Sequence, residues 1–362
     1  MRSLMLSCRA RVADAPLGRV LALLLIAWLA CLPVRAHAAP SPHVATTTTH
    51  VATARGFELV ALGVEGGLDQ DDLSAYLLRA PGDTRYLALD AGTLVPGIRR
   101  ALARGARFAT PPGAPAPDVA TVLRQRIAAY FISHAHLDHV GGLLIAAPED
   151  AGSKPVYGLA STLDALARDD FNNVTWPNFS DRGQAAIGRY RLIDETPGAA
   201  FPIAGTTLTG TLLPLWHDRV VSSMLLARAG AQAFAYFGDT GPDALASGHD
   251  LADAWRLLAP LVARHRLAGL LIEVSYPDGT PDTRLYGHLT PTWLLRELRV
   301  LERDAGGPGA LRGLNVIVGH IKPSLARGVD PRATIAAQLA AGNTLGVHFL
   351  FPRQGDVLHL PD

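Results

Sequence analysis

The run His134-Ala-His136-Leu-Asp138-His139 places three imidazoles and a carboxylate within six residues. With 13 histidines in 362 residues, chance produces H-x-H-x-D-H in roughly one such chain in a thousand. The chemistry open to such a cluster is metal binding. His134 and His136 stand two apart in extended chain just past the apolar segment 129–133, so they project to one side and can share an ion. Asp138 and His139 fall on the following turn, within reach of a second ion close by. Imidazole and carboxylate ligands with open positions suit catalytic zinc, with manganese or iron as alternatives.

Further ligands stand where apolar strands end. His217 follows the run 211–216, Asp239 follows Tyr236-Phe237-Gly238, and His320 follows Val316-Ile317-Val318-Gly319. Such positions are where α/β enzymes keep catalytic groups. Any one of these histidines alone reads more readily as a satisfied core or loop residue. The set does not. Glu273 closes another apolar run, and His288 sits after a glycine and before the helix start Thr290-Pro291. His249, His265, His348 and His359 have no such setting.

The elements that must position these groups alternate along the chain. Segments 57–62, 73–78 and 86–89 read as strands with short connections, an antiparallel meander. A short helix is predicted at 98–104 and a longer one at 119–128. A buried strand at 129–133 then leads into the histidines, and a helix follows at 141–147. Later strands are predicted at 206–213, 222–227, 233–237, 269–274 and 315–318, with helices at 250–265, 291–303 and 331–341. No linker interrupts the pattern after Gly56, and no repeat recurs at 20 to 50 residues. A single α/β domain over 56–362 is expected.

Residues 1–38 stand apart from it. Arg2, Arg9, Arg11 and Arg19 precede the apolar run 20–32, and Ala36-His37-Ala38 follows. That is the layout of a cleaved secretory signal peptide; the run is short of the roughly 20 residues a membrane span needs. Cys31 leaves a lipoprotein alternative, against which Trp28 fits a lipobox poorly. Residues 39–55, with four threonines at 46–49, read as a linker. Cleavage would remove Cys8 and Cys31, both cysteines of the chain, so any metal site must use histidine and carboxylate. The expected location is periplasmic or secreted. A formal net charge of +1 and 18% charged residues argue against a nucleic-acid partner, and nothing points to a membrane role beyond export.

The motifs resemble the metallo-β-lactamase superfamily and, within it, the class II cyclic-nucleotide phosphodiesterases, over nearly all of 56–362. The resemblance rests on Ile132-Ser-His-Ala-His-Leu-Asp-His-Val-Gly-Gly142, Leu87-Ala-Leu-Asp90-Ala-Gly-Thr93 and Phe237-Gly-Asp239-Thr-Gly241. It rests also on Ile272-Glu273-Val-Ser-Tyr276, Gly287-His288-Leu-Thr-Pro291 and Val318-Gly-His320-Ile-Lys-Pro323. It implies a metallo-β-lactamase-like αββα sandwich holding two divalent ions, zinc foremost. His134, His136 and His217 would hold one ion and Asp138, His139 and His320 the other, with Asp239 bridging and Asp90 bracing the loop without ligating. The implied reaction is hydrolysis of 3′,5′-cyclic nucleotides, cyclic AMP foremost, to nucleoside 5′-monophosphates. Asp138, Glu273 and His288 would be catalytic, the last two as a proton-donating pair in which Glu273 raises the pKa of His288; bracing of the metal loop is the other reading of that pair. The segment 171–179 resembles a Trp-Pro-Asn block of the same family, so Trp176 or Phe179 is expected at the nucleobase and Asn178 at the ribose or phosphate. A packed loop with an aromatic plug is the alternative there. Other members of the fold (a β-lactamase, a thioester hydrolase, a nuclease) and a non-catalytic exported metal-binding protein are the competing readings. The oligomeric state has no signature in the sequence.

Overall fold

Strand β1 (Gly56–Gly63) is buried along its whole length, which demands cover on both faces. Phe57, Leu59 and Ala61 turn one way, into a layer shared with a second sheet. Val60 and Leu62 turn the other way, under helices. This alternation, repeated strand by strand, builds the molecule. The structure, a computed structural model, describes residues 56–110 and 113–361. The leader expected over 1–38 and the linker over 39–55 lie outside the described residues.

β1 continues into β2 (Ala75–Arg79) and β3 (Tyr86–Leu89), the expected antiparallel meander. β4 (Ile127–Phe131), β5 (Lys154–Gly158) and β6 (Tyr190–Asp194) then add in parallel. The chain crosses to a second sheet with β7 (Ala200–Pro202), β8 (Thr209–His217), β9 (Val220–Ala229), β10 (Gln232–Phe237), β11 (Leu267–Glu273), β12 (Asn315–Gly319) and β13 (His348–Leu350). β14 (Val357–Pro361) returns to pair with β1. The result is two seven-stranded sheets, ordered β14-β1-β2-β3-β4-β5-β6 and β13-β12-β11-β10-β9-β8-β7.

Helices α1 (Val95–Ala103), α2 (Val119–Thr121), α3 (Leu137–Ala146) and α4 (Ala160–Ala165) belong to the first half of the chain. α5 (Asp250–Val262), α6 (Pro291–Asp304) and α7 (Pro331–Gly342) belong to the second. One apolar layer lies between the sheets, a second joins the first sheet to α1, α3 and α4, and a third joins the second sheet to α5, α6 and α7. Each Leu or Phe buried in them contributes roughly 1.5–3 kcal/mol. The order helix, sheet, sheet, helix is the αββα sandwich of the metallo-β-lactamase fold. Among the described residues no helix is long and apolar enough to cross a membrane.

Two local departures from the sequence reading matter. The helix predicted at 119–128 is a single α-turn followed by a π-turn over Val122–Arg126, and β4 starts at Ile127. Helix α3 begins at Leu137, so Asp138 and His139 occupy its first turn rather than a free turn before it. α3 can start that early because glycines let it dock. A Cβ on Gly92 would lie 2.0 Å from the Asp138 carbonyl oxygen, and one on Gly142 would lie 2.7 Å from that of Ala91.

Candidate metal centre and active site

Parallel strands put their carboxyl ends on one edge, and the loops leaving that edge carry the site. Ser133, His134 and His136 leave β4, and Asp90 follows β3. His217 is the last residue of β8, and Asp239 lies two past β10. Glu273 ends β11, His320 follows β12, and His288 precedes α6. Four non-glycine residues with left-handed backbone flank this edge: Asp90, Asp218, Tyr286 and His320, with φ of 52°, 48°, 52° and 52°. Such conformations are costly for side chains with a Cβ, and they gather where function requires them.

His134 Nε2 and His136 Nδ1 face one another at 3.0 Å, and His217 Nε2 is 3.3 Å from the same His136 nitrogen. Asp239 Oδ2 stands 3.8 Å from both His134 and His217 Nε2. His320 Nε2 is 3.2 Å from the same Oδ2, and His139 Nε2 is 3.3 Å from Oδ1. Asp138 Oδ2 is 3.3 Å from His320 Nε2. The structure thus brings together His134, His136, His217 and Asp239 as one group and Asp138, His139 and His320 as another, with Asp239 facing both.

The donor atoms suit a divalent metal. Ligands about 2.1 Å from an ion in tetrahedral array stand roughly 3.4 Å apart, close to the spacings here. The protons also point away. His139 Nδ1 donates to Asp90 Oδ2 at 2.7 Å and His217 Nδ1 to the Gly287 carbonyl at 3.0 Å. His134 Nδ1 lies 3.0 Å from Ser133 Oγ, and His320 Nδ1 3.0 Å from Ser275 Oγ. Each hydroxyl spends its proton on a carboxylate, Ser133 on Asp90 and Ser275 on Glu273, both at 2.7 Å. The serines therefore accept from the imidazoles, and each Nε2 lone pair turns inward. His139 Nε2 is buried without a hydrogen bond, an atom that wants a cation.

Electrostatics agree. Burial pushes His134 well down. Burial would also lower His139, but Asp239 and Asp90 lift it well above the ordinary range. Burial would raise Asp239 and Asp138, yet the surrounding histidines hold both below the usual carboxylate range. A buried carboxylate that stays ionised, and a neighbour that is driven to carry charge, mark a place built for positive charge. Asp90 braces the centre: it accepts from Ser133 N and Oγ, His139 Nδ1 and Tyr236 OH, at 2.6 to 2.7 Å.

Glu273 and His288 do meet, with Nδ1 and Oε1 2.8 Å apart. The expected direction of the His288 shift is wrong, however. Burial outweighs the carboxylates and, with the Lys322 ammonium nearby, pushes His288 down to about 4. Burial and Asp239 raise Glu273 to about 7. Both shifts bias the shared proton toward the carboxyl side of the pair.

Beside these groups is a hollow of about 450 Å³ walled by His136, Asp138, His288, Tyr276, Tyr286 and Lys322. Trp176, Asn178 and Phe179 do not line it, and the structure gives them other work. Asn178 is buried, its amide donating to the Arg182 and Gln184 carbonyls and its oxygen accepting from Ser180. Phe179 and Trp176 pack into the apolar layer under the first sheet, and Phe179 O accepts from Tyr190 N beside edge strand β6. The substrate-binding expectation for these three is corrected: Asn178 and Phe179 are spent on holding the loop, and Trp176, half-buried against the same layer with its indole N–H unpartnered, stands away from the hollow. Sequence reasoning missed Ser133, Ser275 and Tyr236 as orienting partners, and Tyr276, Tyr286 and Lys322 as walls. Ser133, Ser275, Tyr276 and Lys322 stood inside motif blocks, within three residues of ones that were singled out.

Comparison with known proteins now bears on the chain as a whole. The family model of class-II cAMP phosphodiesterases matches residues 114–355, more than half the chain. A probable 3′,5′-cyclic-nucleotide phosphodiesterase of Yersinia pestis is 46% identical over 303 residues, 83% of this chain and 88% of its own. A 3′,5′-cyclic-nucleotide phosphodiesterase of Aliivibrio fischeri is 43% identical over 311 residues, 85% of this chain and 94% of its own. Among solved structures, unliganded yeast PDE1 superposes with a TM-score of 0.73 at 24% identity, covering 84% of this chain and 99% of that one; it shares the fold. With a family match of that extent and relatives of that identity, the chain belongs to the class-II cAMP phosphodiesterase family.

Proposed function

We propose that this chain is an exported, metal-dependent phosphodiesterase that hydrolyses 3′,5′-cyclic nucleotides, cyclic AMP foremost, to nucleoside 5′-monophosphates. The observation that carries the reading is the Asp239 carboxylate, whose Oδ2 is approached by His134, His217 and His320 and whose Oδ1 is approached by His139. The names of the Yersinia and Aliivibrio relatives support the substrate class. Two divalent ions, zinc in our reading, would be held by His134, His136 and His217 and by Asp138, His139 and His320, with Asp239 between, and would supply charge neutralisation and acidification of water.

The residues themselves account for the rest. Hydrolysis adds water at phosphorus, breaks the P–O3′ bond and must place a proton on O3′. Lys322, at the wall of the hollow, offers an ammonium to the phosphate. Asp138 stays ionised and orients the attacking water. His288 and Glu273, 2.8 Å apart, hold one proton between Nδ1 and Oε1. His288 can give its Nε2 proton to the departing oxygen while its Nδ1 takes the shared proton from Glu273, a positioned acid worth about 10²–10⁴ in rate.

The test uses purified protein with cyclic AMP, nitrocefin and a glutathione thioester, each with and without chelator. Chelator-sensitive release of adenosine 5′-monophosphate alone is expected. Turnover of nitrocefin or the thioester in preference to cyclic AMP overturns the reading. Export is tested by N-terminal sequencing, which should find a mature start near Ala39; a retained Met1 or a lipid on Cys31 overturns that version.

A further inference from the structure

The correction at Trp176 and Phe179 leaves the nucleobase without a partner, and the wall of the hollow supplies one. Tyr286 is 59% exposed at the hollow's edge, on a backbone with φ of +52°. A bulky side chain in that region is an outlier, and glycine would adopt the conformation freely. The chain instead keeps an aromatic ring there and leaves much of it in solvent. Burial of the ring therefore does not offset the strain.

The ring is also tied to the reacting groups. The next residue, Gly287, has φ of +76° and gives its carbonyl to His217 Nδ1 at 3.0 Å. It packs so tightly that a Cβ would lie 2.4 Å from Asp218 N. The residue after that is His288. One short, rigid stretch thus presents a solvent-facing ring, a brace for His217 and half of the proton-holding pair.

Resting on the cyclic-nucleotide reading, we infer that Tyr286 is the platform on which the nucleobase stacks while the phosphate sits among His136, Asp138 and His288. A phenol face recognises a base by its π-surface, so purine cyclic nucleotides are the favoured class. Base–aromatic stacking of this kind is worth about 1–3 kcal/mol by alanine substitution, roughly a 5- to 150-fold effect.

The experiment compares cyclic AMP with the abasic ribose 3′,5′-cyclic phosphate, using wild type, Tyr286→Ala, Tyr286→Phe and Tyr286→Gly. Wild type should prefer cyclic AMP in kcat/KM by roughly 5- to 150-fold. Tyr286→Ala should collapse that preference, chiefly through KM, and Tyr286→Phe should keep it. Tyr286→Gly should lose it while melting no lower than wild type, because glycine relieves the left-handed strain. Three results overturn the inference: a preference unchanged in Tyr286→Ala, equal losses on both substrates, or a Tyr286→Gly melting temperature well below wild type. Failure of the phosphodiesterase reading shows separately, as no wild-type turnover of either substrate. Tyr286 is then judged by calorimetric binding of adenosine 5′-monophosphate against ribose 5-phosphate, and a wild-type preference that Tyr286→Ala does not reduce overturns it.

Discussion

Four imidazoles in this site meet one requirement by one device. Each must offer a lone pair inward, and each fixes its tautomer by giving the Nδ1 proton to an acceptor outside the cluster: Ser133, Asp90, Gly287 and Ser275. Asp239 has no such freedom. Buried among histidines, it stands within 3.8 Å of His134 and His217 of one group and of His139 and His320 of the other. Asp239→Ala should therefore lower bound metal from about two ions per chain to one or none by atomic emission; two ions with full activity would place the ligands elsewhere. The proton-holding pair predicts a pH profile. Glu273, raised to about 7 by burial, keeps its proton below that pH and loses it above. On cyclic AMP, kcat/KM should fall as pH rises through about 7, and Glu273→Gln should abolish that limb. His288→Ala should cost about 10²–10⁴ on cyclic AMP and far less on bis-p-nitrophenyl phosphate, whose phenolate leaves unprotonated. Equal losses on the two substrates would return His288 to bracing the metal loop.

Elements were legible in the sequence where one force dominated. β3 runs over 86–89 as predicted because all four of its residues are buried, and α6 begins at Pro291 behind the capping Thr290. β5 was illegible. Lys154 and Pro155 open it, and the lysine is tolerated only because Asp150, four residues earlier, pairs with it. β14 pairs with β1 from the far end of the chain, a contact that periodicity cannot reveal. The His134–His139 motif announced itself by spacing, yet the start of α3 at Leu137 depends also on Gly92, in another segment. Gly92 is the sharpest case. With Asp138 O where its Cβ would be, Gly92→Ala should destabilise by more than about 2 kcal/mol and lower metal affinity. The measurements are denaturant unfolding and metal titration. A variant with unchanged stability and affinity would mean that the α3 start yields to accommodate a methyl group. The loop at 171–179 misled for a related reason. Its aromatic and amide residues are the types that bind nucleotides, but here they close an edge, and burial rather than residue type decided their use.

Across the whole molecule, the donors are divided between the two halves of the chain, each of which, β14 apart, supplies one sheet and its helices. His134, His136, Asp138 and His139 come from the segment after β4 and the first turn of α3, whereas His217, Asp239 and His320 come from the ends of β8, β10 and β12 in the second sheet. The sheets meet through an apolar layer that is indifferent to pH and metal. At the edge, however, that layer gives way to buried histidines and an ionised Asp239. Cations bound there would join one half of the chain to the other. Without them the same edge keeps a buried carboxylate whose burial is unfavourable. Metal binding should therefore appear as stability of the whole domain, because ligand sets assembled from both halves exist only in the folded chain. Free metal at a thousand times its dissociation constant adds about 4 kcal/mol, which for a domain of this size is a shift on the order of 10 °C. Calorimetry with and without a strong chelator should show that fall as one cooperative transition, and Asp239→Ala should melt low and respond little to chelator. An unchanged melting temperature after metal is demonstrably stripped would mean that the apolar layer alone sets the relation of the two sheets, with the cations serving catalysis and not the fold.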